Sequence, residues 1–115
     1  MKNTTAVGMQ AEQLASRYLS KIGYKIIDRN FRNRYCEIDI LATHTEYICL
    51  VEVKYRKNSM YGGGLEAINY DKQRRLRNAF EYWLSQNSQY ASMQPRIDIL
   101  SVDSRGQVEL IENAI

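Results

Sequence analysis

The sequence predicts an α/β fold in which a single mixed β-sheet is flanked by helices. Three observations lead to this prediction: an N-terminal stretch with apolar residues at helical spacing, three runs rich in β-branched and aromatic residues, and a second helical stretch followed by two more strand-like runs. This order of helix, three strands, helix and two strands fits one sheet covered by helices. With 115 residues the chain has room for one core and not for two, so we expect a single domain over residues 1–115.

The first helix is predicted from an apolar stripe that ends just before Gly23, a residue typical of helix ends. The stripe consists of Ala11, Leu14, Ala15, Tyr18, Leu19 and Ile22. Thr4 or Thr5 could cap the start of this helix. Glu12 lies at the margin of the stripe, and position alone favours a solvated side chain there.

A first strand over residues 24–32 is followed by two apolar runs, residues 36–42 and 47–55. Four polar residues, Thr43 to Glu46, separate the two runs. A connection of this length between two strands predicts a β-hairpin.

The register of this hairpin follows from its apolar residues, because side chains alternate between the faces of a strand. On one face, Asp39 is expected opposite Glu52. On the same face, Glu37 is expected opposite Lys54. Further apolar pairs are expected on both faces: Leu41 with Leu50 on the charged face, and Ile38 with Val53, Ile40 with Val51 and Ala42 with Cys49 on the other.

The charges at the end of this hairpin are costly unless they are paired or bind a cation. Opposed side chains on one face lie roughly 5 Å apart at Cβ, and two carboxylates that close repel each other. A divalent metal with oxygen ligands resolves the repulsion between Asp39 and Glu52, and Lys54 would then lie beside an attacking water or a developing phosphorane. The alternative is a solvated strand end in which Glu37 and Lys54 form an ordinary cross-strand pair.

The second half of the chain begins with residues 57–64, which end in three glycines and are expected to form a mobile or ligand-gripping loop. A second helix is predicted over residues 69–85, with two strands at 96–102 and 107–112. The buried stripe of this helix consists of Leu76, Ala79, Phe80, Trp83 and Leu84. Lys72 falls on the same side, so it either extends along the apolar surface towards water or points into the site.

The basic residues are clustered, although the net charge is a modest +3 and the pI is about 8.9. Residues 29–34 contain three arginines and no acid, and residues 54–77 contain seven basic residues against two acids. These two stretches hold 10 of the 16 basic residues, a distribution expected for a protein that binds a polyanion.

The two cysteines and the single histidine do not form a metal-binding pattern. Cys36 and Cys49 lie in separate predicted strands, and His44 has no histidine partner, which leaves oxygen-ligated metals. No stretch of 18 residues is apolar throughout and the N-terminus lacks the apolar core of a signal peptide, so we expect a cytoplasmic protein with no membrane association.

The acidic residues and the lysine together resemble the signature of the PD-(D/E)xK nuclease superfamily: Asp39, then Glu52-Val53-Lys54, with Glu12 on a preceding helix. Within that superfamily the chain closely resembles the small bacterial YraN-like group, also called UPF0102. The resemblance covers nearly the whole chain, and it is carried by Gly8, Ala11, Glu12, Leu19, Gly23-Tyr24, Arg29 to Arg32, Glu37 to Asp39, Val51 to Arg56, Gly62, Ala67, Lys72, Arg96, Asp98 and Asn113-Ala114.

This resemblance implies an α-β-β-β-α-β core akin to that of archaeal Holliday-junction resolvases and restriction endonucleases. It also implies that Asp39 and Glu52 are metal ligands, that Lys54 is the catalytic lysine, and that Glu12 completes the metal site. One residue departs from the pattern: Cys36 stands where the group usually has glycine, and we expect it to alter packing rather than chemistry.

The function expected from the residues and the resemblance together is a Mg²⁺- or Mn²⁺-dependent endonuclease that acts on DNA. Five basic residues would position the phosphate backbone: Arg29, Arg32, Arg56, Lys57 and Lys72. No segment resembles a base-reading helix, so structure-selective cleavage is expected, and a branched or junction substrate would favour a homodimer. The alternatives are a nucleic-acid-binding module that keeps the fold without cutting, and a protein-interaction domain.

Overall fold

A computed structural model describes residues 6–56 and 69–115, which form a mixed sheet with helices packed on both faces. The elements in chain order are α1 (Ala6–Lys21), β1 (Lys25–Arg32), β2 (Glu37–His44), β3 (Tyr47–Arg56), α2 (Tyr70–Gln86), a 3-10 turn (Ser88–Tyr90), β4 (Gln94–Asp103) and β5 (Val108–Ile111). The five strands lie side by side in the order β1-β2-β3-β4-β5. Neighbouring strands are antiparallel except β3 and β4, which are parallel, so the predicted mixed α/β sheet is confirmed.

Each face of the sheet has its own apolar core. The α1 face is built from Ala11, Ala15, Leu19, Tyr24, Ile40, Ala42, Cys49, Val51, Val53, Leu100 and Val102. The α2 face is built from Ile38, Leu41, Ile48, Leu50, Leu76, Ala79, Phe80, Trp83 and Ile97. Because β3 is covered on both faces, its residues from Ile48 to Val53 are all buried, including the charged one among them.

The end of α1 confirms the stop predicted at Gly23. This glycine takes a φ of 103°, in the left-handed region, and Tyr24 N donates to Leu19 O at 2.9 Å across the helix end. Such a bond closes a Schellman-type cap. The predicted capping threonines, Thr4 and Thr5, lie outside the described residues, as does the predicted loop at 57–64.

The β2–β3 hairpin has the predicted register near its turn. The paired residues run from His44 opposite Tyr47 to Ile40 opposite Val51. The ladder does not extend to the predicted pairs of Asp39 with Glu52 and Glu37 with Lys54.

One face assignment in this hairpin was wrong: Ile38 packs into the α2-face core and not beside Ile40 in the α1-face core. Asn30 of β1 has a φ of 55°. It lies between Arg29, which pairs with Ile40, and Phe31, which pairs with Ile38. A left-handed residue interrupts the regular pleat, so the two-residue alternation of side chains fails at this point.

Helix α2 begins with a side-chain cap that also fixes the position of Lys72. Asn69 Oδ1 accepts a hydrogen bond from Lys72 N at 2.8 Å. We expect Asn69→Ala to lower the free energy of unfolding by about 1 kcal/mol, because an N–H at the helix start loses its acceptor. Urea unfolding of this variant beside Asn69→Ser, which keeps an acceptor, measures the cap. Equal losses in both variants would contradict it.

A buried ionic network lies around Arg96 and Asp98 of β4, which pair with Cys49 and Val51 of β3. Arg96 binds Asp98 through Nε to Oδ1 at 2.9 Å and Nη2 to Oδ2 at 3.0 Å. Tyr24 Oη donates to Asp98 Oδ2 at 2.8 Å. Burial and, next, this hydrogen bond raise the pKa of Tyr24. The network therefore joins the start of β1 to β4.

No helix in the described part of the chain combines the length and the apolar character needed to cross a membrane.

Candidate active site

A cleft of about 460 Å³ opens beside the carboxyl-terminal half of β3, beyond the last paired residues of β2 and β3. Its walls come from the β1–β2 connection, from β3 and from α2. The lining residues are Arg32, Asn33, Arg34, Tyr35, Cys36, Glu37, Glu52, Val53, Lys54 and Lys72. Two predicted site residues, Glu52 and Lys54, thus share the cleft with two predicted phosphate-binding residues, Arg32 and Lys72.

Asp39 lies where β2 leaves the ladder, and its side chain is 1% exposed. Its Oδ2 accepts a hydrogen bond from Val53 N at 2.9 Å. In a continuing ladder a carbonyl of the neighbouring strand would bind such a backbone donor. Here the carboxylate takes that place, so Asp39 is fixed against β3 one residue from Glu52.

Glu52 is 3% exposed, and two ammonium groups compensate its buried charge. Its Oε2 lies 3.4 Å from Lys72 Nζ and 4.0 Å from Lys54 Nζ. A buried carboxylate needs such partners because desolvation penalises its charged form. The predicted pairing of Glu37 with Lys54 is therefore wrong: the ion pair of Lys54 is with Glu52, while Glu37 pairs by register with Arg32 of β1.

Glu12 is 4% exposed on α1, which corrects the solvated position expected from its place in the helical stripe. It is not one of the described residues that line the cleft. Nor do the residues 6–56 and 69–115 contain a group of three or more His, Cys, Asp or Glu side chains placed to hold a metal. The hydrogen bond from Val53 N places Asp39 beside the segment of β3 that carries Glu52 and Lys54, although Asp39, like Glu12, is not among the residues that line the cleft.

The other basic residues predicted to bind phosphate are dispersed. Arg29 is exposed on the edge strand β1 and does not line the cleft. Arg56 is half-buried, and its Nη2 lies 3.9 Å from Glu109 Oε1 of β5. Lys57 lies outside the described residues. Of the five predicted phosphate-binding residues, Arg32 and Lys72 therefore line the cleft, together with the predicted catalytic lysine, Lys54.

The sequence reasoning missed the contribution of the β1–β2 connection to the cleft. Asn33 to Cys36 form one wall of it, and the basic stretch at residues 29–34 was the available signal. Cys36 is one of the residues that line the cleft. Burial raises the pKa of its thiol.

Comparisons with known proteins identify relatives along almost the whole chain. The model of a family described as "Uncharacterised protein family UPF0102" matches residues 11–102. A UPF0102 protein of Rhodococcus opacus (strain B4) is 40% identical over 102 residues, which are 89% of this chain and 86% of the relative. One from Lachnoclostridium phytofermentans is 42% identical over 112 residues, 97% and 94% of the two chains, and one from Vibrio parahaemolyticus is 36% identical over 110 residues, 95% and 91%.

Proposed function

This chain belongs to the uncharacterised protein family UPF0102, and we propose that it is a metal-dependent endonuclease that acts on DNA. The observation that carries the proposal is the placement of Asp39 and Glu52. Both carboxylates are almost fully buried, they lie on neighbouring strands at the end of a ladder, and the adjoining cleft is rich in cations. A cleft that serves only to bind phosphate has no use for buried acids, since they repel it.

The donor set suits Mg²⁺ or Mn²⁺, which prefer carboxylate oxygens. Mg²⁺ commonly takes one or two protein carboxylates and fills its shell with water and phosphate oxygens, so Asp39 and Glu52 suffice as a protein contribution. Glu12 is the third ligand implied by the family resemblance. When bound, the metal would polarise a phosphate oxygen and activate a water molecule.

The chain's own cations would act on the phosphate. The backbone of Lys54 is fixed because β3 pairs with β4 as far as Arg56. Its ammonium group lies beside Glu52. A cation at this position stabilises charge that develops on the phosphate during cleavage. Arg32 and Lys72, which also line the cleft, would orient the backbone.

The residues proposed to contact the DNA backbone are arginines and lysines that bind phosphate, and such contacts carry no sequence information. We therefore propose selection of DNA by structure and not by sequence, with branched or junction DNA as a substrate class. Cutting two symmetric strands of a junction would require a homodimer with two sites.

A second candidate function is a nucleic-acid-binding module that does not cut. The pairing of Glu52 with both Lys54 and Lys72 favours it, because the carboxylate has its charge compensated by the protein itself.

One assay separates the two candidates. Purified protein is incubated with labelled single-stranded, duplex, flap and four-way-junction DNA in Mg²⁺, Mn²⁺ or EDTA, beside the double variant Asp39→Asn/Glu52→Gln. We expect cleavage that requires metal and that falls by about 100-fold or more in the variant. The control is Asp28→Asn/Glu46→Gln, which makes the same charge change at exposed positions outside the cleft and should cleave normally.

Metal binding provides a readout that does not depend on cleavage. Calorimetric titration with Mn²⁺ should show binding to the wild-type protein and to the control, and none to Asp39→Asn/Glu52→Gln. Salt-sensitive DNA binding without cleavage in any metal would instead establish the binding module.

A further inference from the structure

We propose that the β1–β2 connection and the adjoining side of α2 form a stacking wall for an unpaired nucleotide, so that the cleft receives a single DNA strand. The wall consists of Arg34, Tyr35 and Tyr82. This inference rests on the proposed function for the nature of the substrate and adds which form of DNA enters the site.

The wall is anchored to α2 before any ligand arrives. Asn33 Oδ1 accepts hydrogen bonds from Tyr35 N at 2.9 Å and from Cys36 N at 3.4 Å, which closes the turn on itself. Asn33 Nδ2 donates to Ala79 O at 3.2 Å, and Cys36 Sγ lies 3.6 Å from Arg75 O as a weak donor. These bonds hold the turn at a fixed distance from the helix. Little conformational entropy of the turn is therefore lost when a ligand binds.

The two aromatic rings of the wall differ in exposure, since Tyr82 is exposed and Tyr35 is half-buried. The Tyr35 and Tyr82 centroids are 6.2 Å apart with an interplanar angle of 57°, and Tyr82 is 41% exposed. The Arg34 guanidinium lies 5.1 Å from the Tyr35 centroid, and its Nη2 donates to Tyr35 Oη at 3.0 Å. Tyrosine rings beside an arginine are the surface on which bases of a single strand stack, irrespective of their sequence.

The dimensions and depth of the cleft favour one strand over two. A volume of about 460 Å³ lies in the range of pockets for small ligands, so the cleft has room for one nucleotide. Glu52, at 3% exposure, lies deep in this cleft, and a phosphate must enter to approach it. A base on the Tyr35 side would leave its phosphate in a cleft that Arg32 and Lys72 also line.

The alternative is that Tyr35 and Tyr82 only help to pack the turn against α2, since Tyr35 also touches the α2-face core. Packing and stacking differ in their consequences. Loss of packing lowers stability, whereas loss of stacking lowers affinity for single strands in a protein that remains folded.

The test measures binding by fluorescence anisotropy in EDTA, where cleavage is prevented. The probes are labelled oligonucleotides of about 12 nucleotides as single-stranded DNA, single-stranded RNA and duplex DNA. The variants are Tyr35→Leu, Tyr82→Leu and Tyr35→Phe, which keeps the ring. The matched control is Tyr55→Leu, because Tyr55 is 41% exposed, as Tyr82 is, but lies on β3 and not in the β1–β2 connection or α2.

We expect wild-type protein to bind single-stranded DNA at least about tenfold more tightly than duplex, and each leucine variant in the wall to lose about tenfold for the single strand. Tyr35→Phe and Tyr55→Leu should bind as the wild type does. Similar affinity for single-stranded RNA is expected, because bases stack whatever their sugar; tight binding of RNA alone would overturn the assignment to DNA. Equal affinity for duplex and single strand, or leucine variants that fold and bind normally, would overturn the wall itself.

If Tyr35→Leu does not fold, 2-aminopurine placed in the single strand supplies a second measurement on the wild-type protein. Its fluorescence should fall on binding as it stacks, and unchanged fluorescence at saturation would reject the wall. Failure of the nuclease proposal is distinguishable: single-strand binding without metal-dependent cleavage refutes the nuclease and keeps the wall, while cleavage without single-strand preference does the reverse.

Discussion

Replacing Lys54 by methionine is expected to slow DNA cleavage by about 100-fold or more, because one preorganised donor to the transition state contributes that much. The loss should appear in the single-turnover rate at saturating DNA, with little change in affinity, since the phosphate charge that Lys54 faces develops during reaction. Stability should change by about 1 kcal/mol or less, because the ammonium is partly solvated and lies 4.0 Å from Glu52.

Two matched variants give this prediction its specificity. Lys25→Met removes a lysine that is exposed on β1 outside the cleft, and it should leave the rate unchanged. Lys72→Met removes the ammonium closer to Glu52, at 3.4 Å, and should mainly weaken binding, because Lys72 is expected to orient the backbone. A Lys54→Met enzyme as fast as the wild type, or a larger rate loss in Lys72→Met, would contradict the assignment of Lys54.

The arrangement around Glu52 links these two lysines to the substrate. Both ammonium groups face a single buried carboxylate, and a phosphate that enters the cleft offers them a second anion. Their charge is therefore in place before DNA arrives, and little reorganisation is needed at the moment of reaction.

The parts of the fold that follow from sequence periodicity were predicted well. The pairing of Ile40 with Val51 was confirmed because a one-residue slip would have moved every apolar side chain to the wrong face. The same rule failed at Ile38, because the positive φ of Asn30, which lies across from the segment between Ile38 and Ile40, cannot be recognised in an apolar pattern. The burial of Glu12 was also invisible to periodicity, because a marginal helix position is buried or exposed according to what packs beside it.

The site was predictable in its charged residues and not in its walls. Asp39, Glu52 and Lys54 stand out because charges rarely interrupt buried strands. The wall from Asn33 to Cys36 depends on hydrogen bonds to α2, made by residues more than 35 positions away along the chain. No local pattern encodes such a contact, so the aromatic side of the cleft became visible in three dimensions alone.

Arg96→Met should give the largest loss of stability among the substitutions considered, about 3–5 kcal/mol in the free energy of unfolding. Asp98 is 0% exposed, and without Arg96 its charge would stay buried with hydrogen bonds from Tyr24 and Asn113 but no counter-charge. The guanidinium also lies 4.4 Å from the Tyr47 centroid, so its packing is lost as well. Urea unfolding followed by circular dichroism measures the effect.

The double variant Arg96→Met/Asp98→Leu distinguishes an unpaired charge from lost packing. If the penalty arises from the carboxylate left alone, removing it as well should cost less than the sum of the two single variants, because the pair is coupled. Arg105→Met, at an exposed arginine in the β4–β5 turn, serves as control and should remain near wild-type stability. Additive losses in the double variant would show that Arg96 stabilises the fold by packing and not by balancing Asp98. In either case neither Arg96 nor Asp98 lines the cleft, so a folded Arg96 variant should keep its metal and DNA affinity.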